Sequence, residues 1–159
     1  MRQLRHAGFA LLLAAGGAPA ATDEYIYASS LPETHSTYSL GLLPFFERVR
    51  TATDGRVDIK YFGTESVGKA STLLSLVEKQ GADVAQIVDI YMPAALPVSA
   101  LLSDAFVMDE DARIMATAVN AMRLLDCPEC TEEFAVHNVI NFGTYVSTQR
   151  NLLMLQGRT

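Results

Sequence analysis

The sequence predicts an α/β fold, a mixed sheet with flanking helices. The main observation is that residues 57–93 read as a strand, a helix and a second strand, which together form a βαβ unit. A further strand and helix come before this unit, so the predicted order is strand, helix, strand, helix, strand. This alternation is typical of α/β sheets, whose strands run parallel because crossover helices join them.

The first predicted elements are a strand over residues 24–28 and, after a polar loop, a helix from residue 36 to about residue 53. One face of this helix carries the apolar residues expected to point inward, which are Leu40, Leu43, Phe46 and Val49. Pro44 should kink or split the helix, because proline removes a helical hydrogen bond. Asp54 and Gly55 are predicted to end it.

The second predicted strand begins at Val57, where apolar and polar residues alternate through Tyr61 with the two-residue period of a strand. The next helix is expected to bury its aliphatic residues, Leu73, Leu74, Leu76 and Val77. Gly81 is predicted to end that helix in a left-handed conformation, which glycine adopts without strain. Residues 84–88 form the third predicted strand.

Two loops of the βαβ unit are the first places in which we expect a ligand. In parallel sheets, ligands collect where loops leave the carboxyl ends of the strands. In this sequence those loops are residues 64–66 and residues 89–92.

The pattern is less regular after residue 93. The elements expected there are, in order, a loop and short helix (94–103), a loop or short strand (104–108), a helix (about 111–125), a helical turn (131–137) and a fourth strand (139–142). Acidic residues favour the start of the long helix. Its inward face is predicted to hold Ile114, Met115, Ala118, Met122 and Leu125.

Residues 1–21 have the three parts of a secretory signal peptide. Two arginines form a positive start, an apolar run covers residues 9–15, and small residues end the segment. The apolar run is too short for a permanent membrane anchor. We therefore expect export to the periplasm, with cleavage near Ala20 or Ala21.

The rest of the chain is acidic. Residues 1–21 hold two of the 12 basic residues and none of the 18 acidic ones, so the mature chain has a formal net charge of −8. This balance argues against a protein that binds nucleic acid, which needs clustered lysine and arginine. The length allows one domain, or one lobe of a larger protein.

The sequence contains no enzyme motif that we could identify. There is no glycine-rich phosphate loop, no G-x-S-x-G and no H-E-x-x-H. The three histidines, one of them in the leader, leave little room for a Ser-His-Asp triad. We therefore expect a protein that is not an enzyme and that uses no cofactor and no metal.

Cys127 and Cys130 form a C-x-x-C pair, which can be a redox motif, half of a zinc site or a disulfide. Zinc would need two more ligands, and only His35 and His137 remain outside the leader. Redox pairs usually stand at the start of a helix directly after a strand, whereas this pair follows a predicted helix. An oxidising compartment favours a structural disulfide. A small exported thiol-disulfide protein is the alternative.

Several passages resemble the solute-binding subunits of TRAP transporters (tripartite ATP-independent periplasmic transporters). They are the exported leader, ASSLPETHS, FFERVRTATDGRVDIKYF, GTESVGKASTLLSLVEKQGADVAQIVDIYMP, and CPEC followed by VINFGTYVSTQRNLLML. The resemblance covers residues 22–155, in order. It implies a two-lobed, type II-like periplasmic binding protein whose cleft closes over an organic acid, a carboxylate. It also implies membrane permease subunits as partners, and no catalysed reaction.

The sequence departs from this family in length. Family members are roughly twice as long, in line with two lobes of ordinary domain size. In them a segment like residues 145–155 precedes a D-L-K-G-K-K-I-R type passage, whose arginine pairs with the ligand carboxylate. This sequence stops at Thr159, before such a passage. We therefore expect a partial form with a signal peptide (1–21), the N-terminal α/β lobe (22–142) and the start of the crossing strand toward a second lobe (143–159). A non-functional truncated product is the alternative.

The residues predicted to contact the ligand are Ser30, His35, Glu65, Ser66, Tyr91, Phe106, Tyr145 and Arg150. As ligand contacts, His35 would donate to an anion and Arg150 would meet a carboxylate with two hydrogen bonds. Each residue also has a structural interpretation. Ser66 can cap a helix, the aromatic residues can pack in the core, and His35 and Arg150 can simply be solvated.

Overall fold

The computed structural model describes residues 22–103 and 111–145. The described strands are β1 (Asp23–Ala28), β2 (Val57–Phe62) and β3 (Val84–Ala85), in the sheet order β2–β1–β3. β1 pairs along its whole length with β2, and its last two residues pair with β3. The predicted α/β fold is confirmed. Every described strand pair is parallel, and β3 is shorter than predicted.

The helix predicted over residues 36–53 is split, as the position of Pro44 indicated. A π-helical turn (Thr37–Leu42) leads into helix α1 (Leu43–Ala52). Pro44 lies in the first turn of α1, where the hydrogen bond that proline cannot donate is not needed.

Helix α1 packs on one face of the sheet. Phe46 is buried, and its ring centre lies 5.4 Å from that of Tyr27 on β1. Leu40 is 80% exposed, so its predicted inward position is wrong. The π-helical turn changes the angular step between Leu40 and Phe46. Asp54 and Gly55 have positive φ values of 51° and 76° and end the helix as predicted.

Helix α2 (Leu73–Glu78) follows a 3₁₀ turn (Ala70–Thr72). It packs against Ala28 and Ile26 of β1, which point away from α1 because side chains alternate along a strand. The aliphatic residues predicted to lie inward are all buried or packed against the core, namely Leu73, Leu74, Leu76 and Val77.

The end of α2 differs from the prediction at Gly81. The left-handed residue is Gln80, with φ 59°. The Gly81 amide donates to the Leu76 carbonyl at 2.8 Å and the Gln80 amide to the Val77 carbonyl at 2.9 Å, the pattern of a Schellman motif. A Cβ at Gly81 would lie 2.6 Å from Leu76 Cδ1, so the end of the Leu76 side chain would have to shift to accommodate it.

The described helices after the sheet are α3 (Pro97–Ser103), α4 (Ala112–Ala121) and α5 (Pro128–Ala135). A π-helical turn (Met122–Asp126) extends α4, which confirms the helix predicted over residues 111–125. A second core cluster joins α5 and the segment before α3 to α2, and it consists of Leu74, Met92, Leu96 and Phe134.

The buried face of α4 is not the predicted one. Val119 and Arg123 are 7% and 5% exposed. The residues predicted to lie inward but found exposed are Ile114, Ala118, Met122 and Leu125. Met115 is partly buried, as predicted. The helix is rotated because polar groups beside α3 hold Arg123 inward, which a purely hydrophobic pattern cannot show.

Residues 139–142 do not form the predicted fourth strand. The Val139 amide donates to the Phe134 carbonyl at the end of α5, at 3.2 Å. Ile140 and Phe142 are 75% and 82% exposed. The described part of β3 is two residues long, too short to align a further strand beside it.

Some predictions lie outside the described residues. They concern the signal peptide (1–21), the loop or short strand (104–108) and all but the first three residues of the crossing strand (143–159). Within the described ranges, no helix has the length and apolar character needed to cross a membrane.

Candidate functional site

The carboxyl ends of the strands bring together polar side chains from distant parts of the chain. Ser29 follows β1 and Gln86 follows β3, and both are buried. The Ser29 hydroxyl donates to Gln86 Oε1 at 2.5 Å. The pairing of β1 with β3 therefore places these two residues side by side.

Tyr145 extends this contact. The Gln86 amide nitrogen donates to the Tyr145 hydroxyl oxygen. The preceding residue, Thr144, exchanges two backbone hydrogen bonds of 2.7 Å with the side-chain amide of Asn120 on α4. Ser29, Gln86 and Tyr145 thus form a hydrogen-bonded series, which we call the polar chain.

Tyrosine rings stand beside the polar chain. Tyr27 and Tyr61 lie opposite each other on β1 and β2, with ring centres 5.8 Å apart. Tyr38 packs on Tyr61 at 4.2 Å between centres. The Tyr61 hydroxyl donates to the Leu31 carbonyl at 2.8 Å, so this ring is held at its hydroxyl as well as at its faces.

The tyrosine hydroxyls at this edge remain neutral over a wide pH range. Burial raises the pKa of Tyr27 to about 12, and Tyr61 and Tyr145 add to the rise. Burial also raises the pKa of Tyr145, although side-chain hydrogen bonds with Thr37 and Gln86 oppose it. Neutral hydroxyls can donate a hydrogen bond to a carboxylate.

A cavity of about 830 Å³ lies against the sheet face that carries Tyr27. Its volume falls in the range of small-molecule sites. Gln86 lines it, together with aromatic residues that include Tyr27, Phe45, Phe46, Phe142 and Tyr145. The polar chain therefore borders open space.

Three of the predicted ligand residues lie near this edge. Tyr145 belongs to the polar chain. Ser30 directly follows Ser29, and it is the Ser29 hydroxyl that bonds to Gln86. His35 is exposed, and its Nδ1 accepts a 3.2 Å hydrogen bond from the backbone of Thr37. The side chain of Thr37 lowers the pKa of Tyr145, against the effect of burial.

Glu65 and Ser66 follow β2 in an exposed loop. Glu65 Oε1 accepts a hydrogen bond of 3.3 Å from the Ala70 amide, at the start of the 3₁₀ turn. The alternative role of Ser66 as a helix N-cap is wrong, because the N-cap positions are occupied by Lys69 and Thr72. The loop meets the one after β1 at Leu31, which accepts a bond from the Thr64 amide.

The remaining predicted ligand residues either do not line the cavity or lie outside the described ranges. Tyr91 is 59% exposed in a 3₁₀ turn (Asp89–Tyr91), so the alternative that it packs in the core is wrong. Phe106 and Arg150 lie outside the described residues.

The loop over residues 89–92 is occupied by internal contacts. Arg123 Nη2 donates at 2.9 Å both to Asp89 Oδ2 and to the Ser99 carbonyl. The Ser103 hydroxyl bonds to the Asp89 carboxylate at 2.7 and 2.8 Å. Asp89 therefore holds α3 and α4 together, which explains why α4 turns Arg123 inward.

Glu133 of α5 completes this buried network. Its carboxylate accepts hydrogen bonds of 2.9 Å from the amides of Val98 and Ser99, at the start of α3. It also accepts a bond from the Ser99 hydroxyl. A side chain from α5 thereby satisfies amides that no carbonyl of α3 can reach.

The sequence carries local signals for some residues of these two hydrogen-bonded networks that are not among the predicted ones. Ser29 and Gln86 each lie two residues after an inward-facing strand residue, so they share its face. Arg123 lies four residues after Val119, on the same face of the helix. No signal within the sequence pairs Glu133 with Ser99, since the contact joins separate helices.

The Sγ atoms of Cys127 and Cys130 are bonded at 2.07 Å. Cys127 is the N-cap of α5, and its sulfur accepts a 3.1 Å hydrogen bond from the Cys130 amide. Cys130 is buried. Within the described ranges, no group of three or more His, Cys, Asp or Glu residues is arranged to hold a metal ion.

Neither a protein-family model nor a curated protein matches the sequence. Solved structures of TRAP solute-binding proteins do match the fold. One, from an unidentified microbe of a marine metagenome, is specific for aromatic acids and holds 3-hydroxybenzoate. It is 17% identical with a TM-score of 0.62, and the match covers 71% of this chain and 35% of that one.

Two further matches have comparable scores. The protein from Rhodoferax ferrireducens, in complex with copurified benzoate, is 11% identical with a TM-score of 0.55, covering 72% of this chain and 34% of that one. The protein from Xanthobacter autotrophicus, with bound β-D-galacturonate, is 17% identical with a TM-score of 0.55, covering 75% and 38%. The matched part thus spans little more than a third of each solved chain. The resemblance found in the sequence is confirmed at the level of the fold, and the described residues are folded like one lobe of a TRAP periplasmic solute-binding protein.

Proposed function

We propose that this chain belongs to the solute-binding receptor of a TRAP-type secondary transporter, which captures an organic acid and delivers it to the membrane permease. The observation that carries the proposal is the polar chain, because it lies at the carboxyl edge of a sheet with the fold of these receptors. The matched proteins hold aromatic acids or a sugar acid. Their common ligand chemistry is a carboxylate.

In this proposal the described residues form one wall of the ligand cleft. The Tyr145 hydroxyl accepts from Gln86, which leaves its own hydrogen for a ligand carboxylate. Ser29 holds Gln86 in place by its other amide atom. A second lobe, of the kind present in the longer matched proteins, would supply the opposite wall and the charge that pairs with the ligand.

Thermal unfolding of the 159-residue chain tests the proposal. The panel contains benzoate, 3-hydroxybenzoate and galacturonate, each beside an uncharged analogue. An acid present at a hundred times its Kd should stabilise the fold by about 2.7 kcal/mol, and its analogue by much less. Gln86→Leu should reduce the shift, whereas Tyr91→Leu, at an exposed position, should not. If no acid raises Tm, the proposed function is wrong.

Export is part of the same proposal. The leader has the charge and apolar pattern of a signal peptide. A periplasmic extract should contain a chain that begins near Thr22, which N-terminal sequencing would show. Finding the chain in the cytoplasm with Met1 retained would contradict export.

A thiol-disulfide protein is the second candidate, because Cys127 stands at the N-terminus of α5, where the helix favours a thiolate. The surroundings act against it. The pair is bonded as a disulfide and Cys130 is buried, so little of it is accessible to a substrate thiol. Reduction of insulin by the purified chain would favour this candidate over a receptor, and we expect none.

A further inference from the structure

The cavity beside the polar chain has an aromatic wall, which we define as Tyr27, Phe45, Phe46 and Tyr145. The ring centre of Phe46 lies 5.4 Å from that of Tyr27 and 6.0 Å from that of Phe45. Phe45 and Tyr145 are 48% and 53% exposed. Phe45 and Tyr145 therefore leave aromatic surface exposed, whereas Phe46 is buried and Tyr27 is partly buried.

The rings of the wall are held in place before any ligand arrives. Tyr61 packs behind Tyr27, and Tyr38 packs on Tyr61. The polar chain holds the Tyr145 hydroxyl through Gln86. A preorganised wall loses little conformational entropy when a ligand binds.

The chemistry of the wall separates classes of organic acid. A sugar acid carries several hydroxyls, each of which needs a hydrogen-bonding partner once it is buried. The aromatic wall offers no such partner. Polar side chains line other parts of the cavity, but several of them already make hydrogen bonds within the chain, namely Asp83, Asp89, Ser103, Arg123 and Asn141. A flat ring, by contrast, gains from edge-to-face or offset contacts with other rings.

We infer that the ligand is a carboxylic acid with an aromatic ring, which packs against the aromatic wall while its carboxylate accepts a hydrogen bond from Tyr145. This inference rests on the proposed receptor function and narrows its ligand class. The Tyr145 hydroxyl suits the role because burial raises its pKa, which keeps it a donor.

Isothermal titration of the 159-residue chain with benzoate and cyclohexanecarboxylate tests the inference. The two acids share the carboxylate and have similar size, and only benzoate has an aromatic face. Benzoate should bind about twofold to tenfold more tightly, the range expected for one ring contact. The comparison on the unaltered chain is decisive even if a variant fails to fold.

Three variants test which residues cause the preference for benzoate over cyclohexanecarboxylate. Phe45→Leu should remove the preference for benzoate, and Tyr145→Phe should weaken both acids equally, because it keeps the ring and removes the donor. Tyr25→Leu is the matched control, since Tyr25 shares the sheet face of Tyr27 but lies nearer the amino end of β1. It should change neither acid.

The outcomes distinguish this inference from the proposed function. Equal binding of both acids, or binding of galacturonate alone, overturns the aromatic inference and leaves an organic-acid receptor. A benzoate preference that persists in Phe45→Leu also overturns it, because the rings named here would not provide the contact. If no acid binds, both the inference and the proposed function fail.

Discussion

Replacing Asp89 with asparagine should destabilise the fold strongly. The Arg123–Asp89 ion pair is 2.9 Å long, and its side chains are only 4% and 15% exposed. Asparagine leaves the guanidinium charge without a counterion where water hardly reaches. Breaking one side of a buried pair lowers the free energy of unfolding by about 3–5 kcal/mol. Arg123 keeps its bond to the Ser99 carbonyl, so we expect a loss near the lower end, about 3 kcal/mol.

Asp58→Asn is the matched control. The Lys60–Asp58 pair is 2.8 Å long, but the Lys60 side chain is 46% exposed. Water screens such a pair, so its loss should matter much less. Urea unfolding of the 159-residue chain, followed by circular dichroism, measures both variants. Adding Arg123→Met to Asp89→Asn should recover part of the loss, since the unpaired charge is removed. Equal losses in Asp89→Asn and Asp58→Asn would refute the argument that burial makes the pair important.

Three other predictions concern the same free energy of unfolding. Glu133→Gln should lower the free energy of unfolding by about 1–2 kcal/mol, because the amides at the start of α3 then lose a negatively charged acceptor. An unchanged urea midpoint would contradict this role of the Glu133 carboxylate. Gln80→Gly should raise the free energy of unfolding by up to about 1 kcal/mol, since Gln80 has a positive φ, whereas Gly81→Ala should lower it. The pKa of Tyr27 is raised from 10.0 to about 12. Its contribution to the free energy of unfolding is therefore fully present below the ordinary tyrosine pKa of 10.0 and is lost as the pH rises through the raised pKa of about 12. Urea unfolding across that range should show a smaller loss in Tyr27→Phe than in the unaltered chain.

The sheet could be predicted because its signals are local. Alternation from Val57 to Tyr61 identifies β2, and the aliphatic run of α2 identifies the crossover helix. The end of α2 could not be located from glycine alone. Gln80 adopts the left-handed conformation, and the glycine lies one residue later, where a Cβ would lie close to the Leu76 side chain.

The candidate site could be predicted only in part, because its contacts depend on strand order. The correct edge of the sheet follows from the βαβ pattern, and Tyr145 was among the predicted residues. Ser29 and Gln86 are 57 residues apart in sequence. They meet because β1 lies between β2 and β3, and no local pattern states that order. The predicted loop at residues 89–92 contributes Asp89 and Ile90 to the lining of the cavity. The ion pair of Asp89 with Arg123 joins distant parts of the chain, so no local pattern indicates it.

An acidic chain can still bind an organic anion through this wall. The chain carries 18 acidic and 12 basic residues, so long-range electrostatics oppose the approach of a carboxylate. The donors of the polar chain, however, are neutral hydroxyl and amide groups, whose hydrogen bonds act only at contact distance. The raised pKa of Tyr145 preserves its donor hydrogen in those surroundings. In the proposed receptor, neutral donors and aromatic carbon therefore select the ligand by shape and contact, and we propose that a second lobe supplies the charge that pairs with the ligand.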